Sequence, residues 1–120
     1  MQCGEIAYHD YEGVALDLDE RERIVADLGD GQFMILRNHG TLTLGCSANA
    51  AFTAMYYLER ACTVQVRALA GGKEAVAWPP QGSPEKAAEQ SRLLFDGTVD
   101  EIAWPAWLRK MDALDSSYRH

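Results

Sequence analysis

Positive charge is scarce in this sequence. Eleven Lys and Arg face 18 Asp and Glu, a formal net charge of −7 over 120 residues with a pI near 4.8. That balance argues against nucleic acid or an anionic membrane as the main partner. Long apolar runs are absent as well, and none reaches the roughly 18 residues that a membrane-crossing helix needs. The opening Met1-Gln2-Cys3-Gly4-Glu5 has neither a basic n-region nor an apolar h-region, so it does not read as a signal peptide. Cysteine is limited to Cys3, Cys46 and Cys62, an odd number at wide spacing. Such usage fits reduced thiols in the cytoplasm better than a disulfide framework or a structural zinc site. The histidines are His9, His39 and His120, and no two stand at the i, i+2 or i, i+4 spacing of a local metal site. HExxH, a P-loop and CxxC are all missing, as are internal repeats and low-complexity tracts.

What is present reads as one α/β domain over residues 1–120, with 48% hydrophobic and 24% charged residues and enough chain for a core. The most informative stretch is Phe33-Met34-Ile35-Leu36-Arg37-Asn38-His39-Gly40-Thr41-Leu42-Thr43-Leu44-Gly45. Four apolar residues predict a buried strand, and the alternating Thr-Leu-Thr-Leu predicts a second with one face exposed. Asn38-His39-Gly40 between them is a turn signal, because Asn and Gly tolerate positive φ. A histidine there sits at the end of a stiff strand with its ring free to reach a cleft, a suitable place for a metal ligand or general base.

Upstream, Ile6 to His9 predicts a short strand that runs into a turn, with Ala7 and His9 sharing one face. His9, Asp10 and Glu12 either edge a cleft or are, respectively, a satisfied strand histidine and two solvated turn residues. Val14 to Leu18 leads into a helix with Asp19 as N-cap, Glu22 completing a capping box and Gly29 at C′. Its apolar stripe of Ile24, Val25 and Leu28 makes it an amphipathic cover for a sheet, with no chemistry evident. The longest predicted helix runs from Ala48 to about Ala70, with Met55, Leu58, Cys62, Val66 and Leu69 as its buried stripe. Glu59 on it reads as a salt-bridge partner for Arg60 or a solvated charge rather than a catalytic acid. Lys73 to Gly82 is a loop. Ser83-Pro84-Glu85 opens a helix that ends near Asp96-Gly97. A last short helix carries Trp104 and Trp107, whose aromatic side docks on the body or on another subunit, or else stacks a ligand. His120 is terminal and frayed.

Ile35-Leu36-Arg37-Asn38-His39-Gly40, an apolar strand, and then an alanine-rich helix ending Tyr56-Tyr57-Leu58-Glu59-Arg60-Ala61-Cys62 together resemble the class II aldolase/adducin family. Tyr8-His9-Asp10-Tyr11-Glu12-Gly13 also looks like a segment of one bacterial branch of it. The resemblance implies a mixed, largely antiparallel sheet covered by helices, α/β/α in layers. It further implies that this chain is the C-terminal half of the family's domain and so incomplete. In the metal-dependent members the histidine of the Asn-His-Gly turn is a zinc ligand, and His39 falls on it. The other ligands there are an upstream His-x-His pair, with an acid/base glutamate beyond it, and neither lies in this sequence. No catalytic residue is therefore assigned.

Two functions follow from that resemblance. One is a lyase of aldehyde-lyase type, in which Zn2+ or another divalent metal serves aldol cleavage or epimerisation of sugar-phosphate-type substrates through an enediolate. The other is an adducin-like assembly protein without metal chemistry. A third possibility is an unrelated small α/β protein with a structural His39. Either family reading implies homo-oligomers, with a small carbohydrate-like substrate if the protein is active. An incomplete sheet would expose an edge and an apolar face, which predicts self-association or pairing with a separately supplied first half.

Overall fold

A computed structural model describes residues 5–13, 18–94 and 97–119. The expected helix lead-in over 14–17, the end of the third helix at Phe95 and Asp96, and Cys3 and His120 lie outside the described residues. Three short strands, β1 (Ile6–His9), β2 (Phe33–Leu36) and β3 (Gly40–Thr43), form one sheet in the order β1-β2-β3. The sheet is mixed: β1 runs parallel to β2, and β3 returns antiparallel. Helix α1 (Asp19–Leu28) makes the crossover that a parallel pair requires. Three more helices follow: α2 (Ala48–Leu69), α3 (Ser83–Leu94) and α4 (Thr98–Leu114).

Strand register sorts side chains between the two faces. Ala7 pairs with Met34 and His9 with Leu36, so these four share one face, while Tyr8, Ile35 and Thr41 share the other. Helix α1 lies on the His9 face, where Asp27 meets the His9 ring. Helix α2 lies on the Thr41 face, where the Thr41 hydroxyl donates to Glu59 at 2.6 Å and Thr43 donates to the Ala51 carbonyl at 3.0 Å. The result is the expected α/β/α layering. Glu59 thus ties α2 to β3.

The core is narrow. Met34 is fully buried in the middle strand, joined by Leu28 of α1 and by Ala54 and Leu58 of α2. Beyond the sheet α2 loses its cover, so Val66, expected in its buried stripe, is 71% exposed. Helix α4 docks on α2 through aromatic rings: Trp107 lies 5.4 Å from Phe52 and 5.2 Å from Tyr56, and Trp104 lies 5.9 Å from Phe52. It is 17 residues long rather than short, continuing through Pro105 at the loss of one backbone bond. The radius of gyration is 16.9 Å, against about 13.6 Å for a compact domain of this length.

Gly45 explains how α2 reaches the sheet. A Cβ there would stand 2.3 Å from the Ala51 backbone nitrogen, so only glycine lets β3 pass directly into the first turn of the helix. Ser47 caps that turn, its hydroxyl accepting from the Ala50 N–H at 3.1 Å.

Candidate functional site

His39 stands in the three-residue loop between β2 and β3. Its backbone N–H donates to the Leu36 carbonyl at 3.0 Å, and Asn38 just before it takes φ 56°. Positive φ therefore falls on Asn38, a residue whose short polar side chain tolerates it. The His39 side chain is exposed, and among the described residues it takes no hydrogen bond or ion pair.

His9 occupies the opposite environment. It closes β1, is 3% exposed, and its Nδ1–H donates to Asp27 Oδ2 at 2.7 Å. Its Nε2 is buried without a hydrogen-bond partner among the described residues, 3.7 Å from Glu20 Oε1 and 4.0 Å from Glu12 Oε1. The hydrogen bond to Asp27 raises the His9 pKa above its ordinary value. Burial opposes that rise, and the charges of Asp27, Glu12 and Glu20 reinforce it. Glu12 is in turn forked by Arg23, whose Nε donates to both carboxylate oxygens at 2.9 and 3.0 Å. At the rim Arg37 pairs with Asp10 at 3.0 Å and stacks over the Tyr8 ring at 4.8 Å.

Two hollows flank this cluster. One of about 390 Å3 opens beside Asp27, Arg23 and Arg37. The other, about 50 Å3, is bounded by Glu12, Glu20, Tyr11 and Ile24, and His39 lines it too. His9 lines both. The N-terminal segment and the His39 turn thus meet at one end of the sheet, where the parallel pairing brings the ends of β1 and β2 together.

Helix α1 is more than a cover. Glu20 and Asp27 were missed as partners of His9, although the sequence carried a signal. Glu20, Arg23 and Asp27 recur at helical spacing alongside Ile24 and Leu28, so the sheet-facing side of α1 is partly ionic. Nor is Asp19 the N-cap: α1 begins at Asp19 itself, with Leu18 at the cap in helical conformation and no side-chain cap bond. Glu20, in the first turn, instead points inward to His9.

A divalent metal needs three or four donors around one point. Among the described residues no three His, Cys, Asp or Glu side chains stand close enough to hold one. Cys46 is exposed and does not join His9 and His39 in either hollow. His39 is accessible as one donor, but the described residues do not make a complete site. No helix among them is long and apolar enough to cross a membrane.

Comparison with known proteins agrees with this architecture. The family described as "Class II Aldolase and Adducin N-terminal domain" matches residues 1–66. A Caulobacter vibrioides protein named "Putative aldolase class 2 protein" is 46% identical over 114 residues, covering 95% of this chain and 44% of that protein. Alpha-adducin from Rattus norvegicus is 44% identical over 118 residues, covering 95% of this chain and 16% of its own length. The crystal structure of an aldolase II superfamily protein from Pseudomonas syringae superposes with a TM-score of 0.88 at 44% identity, covering 98% of this chain and 47% of that one. The chain spans less than half the length of the curated relatives it matches. It belongs to the class II aldolase/adducin family.

Proposed function

We propose that this chain contributes His39 as one ligand of a divalent-metal centre, zinc or a similar ion, whose remaining donors come from outside the described residues. In that reading the assembled protein is a lyase of aldehyde-lyase type acting on small carbohydrate-like substrates by aldol cleavage or epimerisation, and the 120-residue chain alone is inactive. The observation that carries it is the state of His39: exposed, unpartnered among the described residues, and fixed by a hairpin whose turn residue takes positive φ. An exposed imidazole that no other described residue engages is available to a metal without first breaking a bond.

Cobalt(II) titration followed by NMR tests the reading. The His39 ring and the amides of residues 36–42 should broaden at the lowest cobalt additions, and His39→Ala should abolish that focus. Broadening that starts elsewhere, or that His39→Ala leaves unchanged, would count against a ligand role. Elemental analysis of the purified chain belongs beside it. Stoichiometric zinc lost in His39→Ala would mean that the chain or its oligomer completes a site.

A second reading is favoured by the identity to alpha-adducin: an assembly protein of the same fold without metal chemistry. It predicts no site-centred cobalt effect at His39, together with a stable homo-oligomer.

A further inference from the structure

His9 plays no part in the proposed metal role, yet it is the polar side chain with the least exposure in the fold's buried set. Three carboxylates converge on it from two directions, Glu20 and Asp27 from α1 and Glu12 from the loop that follows β1. Beyond them, Arg23 of α1 forks Glu12 and Arg37 after β2 holds Asp10, while Tyr11 and His39 line the adjoining hollow. Among the described residues, with His9 protonated, three cations face the four carboxylates of Asp10, Glu12, Glu20 and Asp27. With His9 neutral there are two. A neutral ring that donates from Nδ1 to Asp27 would also turn the bare Nε2 lone pair toward Glu20 and Glu12. Only the imidazolium matches its surroundings on both sides.

Helix α1 has little else to hold it. It packs chiefly on β1, its buried apolar contact is Leu28, Ile24 is half-buried, and Val25 is 68% exposed. The geometry points to a proton-operated latch: the His9 imidazolium at the end of β1 clamps α1 to the sheet through Asp27 and Glu20, and loss of its proton loosens α1, because the neutral ring keeps only the Nδ1–H bond to Asp27 and turns a lone pair toward Glu20. Because Glu20 and Ile24 of α1 wall the small hollow beside His39, release would open that end of the sheet.

The sign follows from linkage. The His9 pKa is raised in the latched state, so latching is strongest below about pH 6.5 and weakens as pH climbs through the raised value. The loss amounts to about tenfold in the closed-to-open ratio for each pH unit by which the pKa is raised.

Hydrogen exchange of the 120-residue chain across neutral pH tests this, with protection factors corrected for intrinsic exchange. The amides of Ile24, Val25 and Leu28 should lose protection as pH rises, while Leu58 in α2 keeps its own. The midpoint should coincide with the titration of the His9 ring followed by NMR. His9→Gln should make α1 protection independent of pH. Asp27→Asn, which keeps the imidazole, should move the midpoint to lower pH. Wild-type α1 protection that stays flat while His9 titrates would overturn the latch. So would an unmoved midpoint in Asp27→Asn, or a parallel loss in α1 and α2, which would make the event global unfolding. None of these outcomes depends on metal binding at His39.

Discussion

What an imidazole can do depends on what already occupies its nitrogens. His39 has both free of partners among the described residues, whereas His9 has Nδ1 committed to Asp27 and Nε2 enclosed beside two carboxylates. Mutation should separate them. His39→Ala, at an exposed turn, should change stability by less than about 0.5 kcal/mol in urea titration while removing any metal response. His9→Gln should instead change how stability varies with pH. The raised pKa of wild-type His9 gives the folded chain stability that is full below about pH 6.5 and is lost as pH rises through the raised pKa. The wild-type urea midpoint should therefore fall, relative to His9→Gln, as pH rises above about 6.5. At this scale the sequence was informative about His39, because a turn signal between two strand patterns is local. His9 was harder to read, since its partner Asp27 is 18 residues away and only the βαβ crossover brings the two together.

At the scale of elements, the strands, the start of α2 and the Gly29 end of α1 follow from local chemistry and appear where expected. Two differences have physical causes. Val66 has helical spacing but no sheet beneath it, so periodicity alone could not bury it. The last helix, expected to be short, runs for 17 residues through Pro105, because Trp104 and Trp107 on either side of it are docked against α2 and that packing outweighs one missing bond. The β3–α2 junction should be the element boundary most sensitive to small changes. Gly45→Ala should destabilise by about 1–3 kcal/mol, because its Cβ meets backbone rather than a movable side chain. Ser47→Ala should cost about 1 kcal/mol through the lost cap. Met34→Ala, at the fully buried centre of the sheet, should cost about 2–5 kcal/mol. Thermal or urea unfolding checks all three.

For the whole molecule, the radius of gyration and the exposed apolar side chains among the described residues indicate a fold with much of its greasy surface still in contact with water. Ile102 and Leu114 on α4, Val66 on α2 and Leu18 ahead of α1 are each more than two-thirds exposed. Exposure on that scale favours association. Light scattering at micromolar concentration should give a mass above the 13.3 kDa of one chain. A compact monomer would weigh against the assembly reading and against homo-oligomers alike. The family was legible because a few adjacent residues around His39 carry it. Those residues did not reveal the ionic side of α1, which depends on tertiary contact.

The mixed sheet also bears on how the chain acquires its shape in time. Strands β2 and β3 are joined by three residues, so their pairing closes a small loop and can form early. Strand β1 can join only after all of α1 has been enclosed between it and β2, a much longer closure that local contacts cannot reward in advance. The rate-limiting barrier should therefore lie at β1 docking. Substitutions in the β2–β3 hairpin should slow refolding, whereas those at the His9–Asp27 contact should act mainly by hastening unfolding.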